Sequence, residues 1–159
     1  MIKVRAFFLF IFLVFGFSHY GWSQTSLPFF SNLKHGKTNV RFGPNNNFPI
    51  KFELKCERLP VEIIKTHKDW YFIHDFEGES GWLHKRMVAQ NDFVFLLKKS
   101  FLKKERKTTS QTIACLSRGV LVKLKNCHNK ICCVEMINHK KKMVGWVPGK
   151  NLWGSLKLK

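Results

Sequence analysis

The chain is short of acid. Its 159 residues carry ten Asp and Glu against 28 Lys and Arg, a formal charge of +18. The ten carboxylates are scattered over turns and strands, without the paired arrangement that general acid–base work needs. There is no glycine-rich phosphate loop, no supported Ser-His-Asp constellation and no CxxC motif. These absences exclude phosphoryl transfer, triad hydrolysis and thiol redox chemistry by pattern. No enzyme, catalytic residue or cofactor is expected. From Gly36 onward there is also no long helical period, which excludes a helical bundle.

The one long apolar run is N-terminal. Lys3 and Arg5 precede the 12 residues from Ala6 to Phe17, and small residues follow at Gly21 and Ser23. A membrane span needs about 20 apolar residues. The positive start, short apolar run and small residues predict a signal peptide over 1–23, removed on export. Its retention is the only expected membrane attachment. The mature chain keeps a charge of +16, which attracts polyanions. The expected destination is the periplasm, across the inner membrane.

What remains is rich in short β-runs separated by turn residues. Residues 24–35 read as a linker. Asn39–Phe42, Pro49–Leu54, Val61–Ile64, Trp70–Asp75 and Gly81–Leu83 read as strands, with a dense turn signal at Gly43–Asn47. The order then recurs as Leu102–Glu105, Gln111–Leu116, Val120–Leu124, Ile131–Val134 and Gly145–Val147. Val40 to Trp70 is 30 residues and Leu102 to Ile131 is 29. Two copies of one unit are predicted, over 36–92 and 93–159, with Asn91–Lys99 as the join. Five short strands per copy suggest a small barrel or sandwich.

The motifs resemble those of bacterial SH3-like (SH3b) domains. Asn39-Val40-Arg41-Phe42-Gly43-Pro44 resembles the family's NVRxGP opening. Leu59–Ile64 resembles its central strand, Trp70–Ile73 its W-x-x-V strand, and Gly81-Trp82-Leu83 its GW-V/I signature. The second copy keeps Arg118-Gly119-Val120, Gly145-Trp146-Val147 and Asn151-Leu152-Trp153-Gly154. The likeness spans about residues 36–155 and is similar to exported tandem alphaproteobacterial proteins. It implies an all-β fold of two tandem small SH3-like β-barrels after a signal peptide. The second copy departs where Lys103–Lys107 replaces the RxGP turn and Ile131 replaces a tryptophan. The first has Arg58 where a turn glycine is usual.

Trp82 and Trp146 have two readings. They plug the barrels, or they stand with Trp70, Tyr71 and Trp153 at a ligand groove, where aromatic faces stack on a peptide or sugar. Strand parity sends Tyr71, Ile73, Cys132, Val134 and Met136 to the core, with Cys133 and Ile131 opposite. The glycines of the Gly-Trp pairs are expected to allow a tight turn. Cys127 and Cys132 flank a short hairpin connection that suits a disulfide, with Cys127–Cys133 the alternative. Five cysteines leave at least one without an intramolecular partner. Cys127, His128, Cys132 and Cys133 nominally offer zinc ligands. Adjacent cysteines ligate one ion poorly and no second knuckle exists, so no metal is expected.

Lys98, Lys99, Lys103, Lys104, Arg106, Lys107, Lys140, Lys141 and Lys142 fall in joins and turns. They are read either as a solvated face or as a patch for acidic polymers. The expected function is that of a non-enzymatic exported binding protein. It contacts peptidoglycan or another cell-envelope component, including an envelope protein, through this aromatic and basic surface. The alternative is a small-barrel nucleic-acid binder.

Overall fold

The computed structural model describes residues 26–138 and 141–155. The expected signal peptide and Lys140 lie outside them. Among the described residues no helix is long and apolar enough to cross a membrane.

The first half contains β1 (Phe29–Leu33), β2 (Thr38–Arg41), β3 (Ile50–Leu54), β4 (Pro60–His67), β5 (Trp70–His74), β6 (Ser80–His84) and β7 (Val88–Ala89). The second contains β8 (Phe93–Leu96), β9 (Ser100–Lys103), β10 (Thr112–Leu116), β11 (Leu121–His128), β12 (Ile131–Asn138), β13 (Lys141–Pro148) and β14 (Leu152–Trp153). They form two seven-stranded sheets, ordered β3-β2-β6-β5-β4-β1-β7 and β10-β9-β13-β12-β11-β8-β14. Adding seven to each label of the first order gives the second. The fold is all-β, as expected, and consistent with two small SH3-like domains. The expected barrels, however, are open. Hydrogen bonding stops at β3 and β7 in one sheet and at β10 and β14 in the other.

The likeness extends to irregularities. β4 skips one residue opposite β5 between Ile63 and Lys65, and β11 skips one opposite β12 between Leu124 and Asn126. The β2–β3 and β9–β10 pairs each shift register once as well. A bulge bends its strand and sharpens the twist, so matching bulges impose matching curvature. At the turn before β4, Arg58 has φ 65°; before β11, Gly119 has φ 89°. Both donate their N–H to a β1- or β8-strand carbonyl at 2.9 Å, Arg58 to Leu33 and Gly119 to Leu96. Arg58 thus adopts the left-handed turn that a glycine serves in the second half.

Alternation along the strands builds two cores. Val61, Ile63, Ile73 and Leu83 point inward in the first half; Val122, Leu124, Val134 and Val147 do so in the second. Truncating one of the leucines or isoleucines among them to alanine costs about 2–5 kcal/mol. Gly81 and Gly145 have a role other than the expected turn. Both lie within strands, where an added Cβ would come 2.9 Å from the Arg41 carbonyl oxygen and 2.6 Å from that of Lys103. The missing side chain lets β6 and β13 cross close to β2 and β9.

Two segments expected as connections are structural. Residues 24–35 contain β1, which pairs with β4 and β7. The join at 91–99 contains β8, which pairs with β11 and β14. These strands also bring the halves together. Asn32 is 1% exposed and donates Nδ2 to the carbonyls of Arg58 and Phe93, each at 2.9 Å. Phe95 packs into the first core and stacks on Phe76, with centroids 4.2 Å apart. Phe30 meets Trp153 edge-on at 5.0 Å, and the Arg58 guanidinium lies over Phe93. The halves therefore share a packed seam.

Candidate functional site

The outer faces carry the candidate chemistry. On β5 and β6, residues opposite in parity to Ile73 and Leu83 point away from the core. They include Trp70, Phe72, Trp82 and His84. Phe72 and Trp82 are cross-strand partners with rings 5.2 Å apart, and Trp70 and His84 are partners at 5.3 Å. His67 meets Trp82 edge-on at 6.3 Å. Such offset and edge-on pairs stabilise one another beyond simple burial.

A groove of about 300 Å³ opens beside this cluster, lined by Lys37, Asn39, Arg41, Trp70, His84 and Arg86 among others. No acid lines it. Lys37 is ion-paired with Glu53 at 2.8 Å, and Arg41 donates to the Phe48 carbonyl at 2.7 Å. The Lys37 contact lowers the Glu53 carboxyl from its ordinary value.

The second half has a groove in the corresponding place, of about 200 Å³. Through the shared register, Lys99 stands for Lys37, Phe101 for Asn39, Lys103 for Arg41, Ile131 for Trp70, and Pro148 for His84. Trp146 lines it, as do Glu105, Arg106 and Lys107 from the β9–β10 turn. Four of the nine expected basic residues, Lys99, Lys103, Arg106 and Lys107, are thus brought against an expected tryptophan. The loss of the RxGP turn and of a tryptophan at position 131 leaves a groove there, with more aliphatic walls.

The other expected residues are dispersed. Trp70 is only 8% exposed. Tyr71, on the opposite face, packs against the first core, meets Phe29 edge-on and has the Lys85 ammonium over its ring. Successive strand residues cannot share one face, so Trp70 and Tyr71 do not form a joint surface. Trp82 and Trp146 are half-buried on the outer faces and absent from both cores, which corrects their reading as core plugs. Trp153 lies at the seam against Phe30. Lys98 and Lys104 are exposed outside the groove lining. Lys141 opens β13. Lys142 is held at 3.0 Å by Glu135, which also pairs with Lys125 at 2.7 Å. Those two ammonium groups, Lys125 first, lower the Glu135 carboxyl from its ordinary value. Lys142 is therefore part of an ion-pair network away from the groove. His84, Arg86, Phe101 and Pro148 went unrecognised in the sequence; matching the two copies residue by residue is the signal that finds them.

Cys127 and Cys132 face each other across the β11–β12 hairpin and are joined by a disulfide, as expected. The bond removes two thiolates from the nominal zinc set. No cluster of three metal-ligating side chains occurs among the described residues. Cys56, Cys115 and Cys133 are free thiols. Burial pushes the thiols of Cys56 and Cys133 up, which makes them poor nucleophiles at neutral pH.

A third concavity, of about 780 Å³, lies at the seam and mixes Lys34, Arg58 and Lys123 with Glu57 and Glu135.

No curated protein matches the chain. Among solved structures, NlpC2 from Trichomonas vaginalis is similar at 11% identity and a TM-score of 0.34, over 79% of this chain and 48% of that one. NlpC1 from the same organism is similar at 12% identity and a TM-score of 0.34, over 82% and 47%. The chain thus spans about half the length of these two structures. Residues 34–89, which hold β2 to β7, match the family described as the bacterial SH3 domain.

Proposed function

We propose that the protein is an exported, non-enzymatic binding protein of the cell envelope, and that its first half contacts peptidoglycan. The observation that supports this most is the acid-free groove beside Trp70 and His84, inside the segment that matches the bacterial SH3 family. Arg41 and Arg86 supply cationic hydrogen-bond donors for carboxylates. The half-buried rings of Phe72, Trp82 and His84 alongside offer apolar faces to sugars or peptide stems. Binding needs no bond to be made or broken. The strong positive charge raises the encounter rate with an acidic polymer and works at the level of the whole surface. The family match adds nothing to the nucleic-acid alternative. Titrating residues 24–159 with soluble muropeptides, followed by tryptophan fluorescence, tests the proposal. A saturable change that Arg86→Glu weakens supports it; a flat titration with folded protein contradicts it.

A further inference from the structure

The two grooves share a place in the fold and differ in lining. Where the first has Asn39, Trp70 and His84, the second has Phe101, Ile131 and Pro148. Phe101 is 54% exposed, a large apolar side chain left in water beside Trp146 and Val147. Lys99, Lys103, Arg106 and Lys107 surround this patch, against the single acid Glu105. An apolar floor inside a cationic rim suits a ligand that presents alkyl groups and carboxylates together. The volume admits about one large side chain.

That volume separates a peptide from an anionic lipid: it holds one anchoring side chain of a segment lying along the cationic rim and is too small for the acyl chain of a phospholipid. Asn151 stiffens the wall, 7% exposed and donating Nδ2 to Ser100 Oγ at 2.7 Å.

We propose that the groove of the second half binds an extended protein segment in which apolar and acidic side chains alternate. The inference rests on the reading of this chain as a binding protein, but not on peptidoglycan as the ligand of the first half. The bound segment would set an apolar side chain against Phe101, Ile131 and Pro148. Its carboxylates would meet Lys103, Arg106 and Lys107. One chain would then hold an envelope polymer by one half and a protein by the other.

The test is fluorescence anisotropy of residues 24–159 with a labelled peptide of alternating Leu and Glu. Alternating Ser and Glu, alternating Leu and Lys, and vesicles of anionic phospholipid serve as competitors. The Leu-Glu peptide is expected to bind about tenfold more tightly than either other peptide. Phe101→Ser and, separately, Lys107→Glu are each expected to weaken it by a similar factor. Both residues are exposed, so the fold is retained, and two independent variants guard against loss of either one. Arg86→Glu is expected to leave peptide binding intact. Equal binding of the Ser-Glu peptide would overturn the proposal in favour of simple charge attraction. Displacement by vesicles but not by unlabelled peptide would overturn it in favour of a lipid surface. Indifference to both groove variants would also overturn it. Failure of muropeptide binding with Leu-Glu binding intact would sink the first-half reading alone.

Discussion

Across the outer face of the first sheet, one row of cross-strand neighbours runs Ile50, Arg41, Trp82, Phe72 and Lys65. The corresponding row of the second sheet runs Thr112, Lys103, Trp146, Cys133 and Asn126. A cation and a tryptophan recur at the same two places. Around them, apolar and aromatic positions have become polar or small. Beneath the sheets the opposite holds. Val61 matches Val122, Ile73 matches Val134, and Gly81 matches Gly145. Close packing restricts interior choices to similar shapes, whereas outward positions answer only to solvent or a ligand. The two halves thus differ on their outer faces and agree in the core and crossings that hold each sheet together.

The largest expected effect breaks what the halves share. Gly145→Ala sets a Cβ against the Lys103 carbonyl and Leu102, and is expected to cost about 3 kcal/mol of stability. Gly81→Ala should cost somewhat less: it meets the Val40 side chain at 2.5 Å, but its nearest carbonyl is 2.9 Å away instead of 2.6 Å. Urea unfolding of both variants measures the difference. Equal tolerance of both substitutions would refute the close-crossing explanation.

Next comes a device found only in the second half. Replacing Cys127 and Cys132 together by serine should cost about 2 kcal/mol, as expected for a short closed loop. The loss should be confined to β11 and β12, read by amide hydrogen exchange. A smaller effect is expected at the seam. Asn32→Ala leaves the carbonyls of Arg58 and Phe93 without that donor and should cost about 1.5 kcal/mol. It should also separate one thermal transition into two, visible by calorimetry. A single unchanged transition would mean that the hydrogen bonds of Asn32 do not couple the halves.

The smallest expected effect is a pH dependence. Glu135 has its carboxyl lowered by Lys125 and Lys142, so the folded state binds its proton less readily than the unfolded chain. Its contribution is present above the ordinary carboxylate range and is lost as pH falls through the lowered value. Glu135→Gln should therefore reduce the drop in urea midpoint between about pH 6 and about pH 3. An unchanged drop would remove Glu135 from the account of acid sensitivity.

Much of the framework was legible in the chain. Alternation in Val61–Ile63 and Val120–Leu124, the repeated Gly-Trp pairs and the hairpin cysteines each carry a local signal. Strands β1 and β8 do not. Phe29-Phe30-Ser31-Asn32-Leu33 shows no alternation, because Ser31 and Asn32 are buried to hydrogen-bond distant carbonyls, Ala89 for the one and Arg58 and Phe93 for the other. Phe93–Leu96 is uniformly apolar because its two faces pack against different halves. The fate of Lys142 depends on Glu135, seven residues earlier and across a hairpin, so a count of lysines could not separate it from Lys107. The grooves needed both copies laid over each other, since neither Arg86 nor Phe101 belongs to a motif.

The acid-free groove of the first half is proposed to bind an envelope polymer specifically. A pull-down of residues 24–159 on purified peptidoglycan sacculi, at low salt and at about 0.3 M, tests it most directly, because screening at the higher salt removes most long-range attraction. Retention is expected to survive the salt, to be lost in Arg86→Glu and to be unaffected by Lys107→Glu. Retention that vanishes at about 0.3 M salt, or that falls equally in both variants, would contradict the proposal.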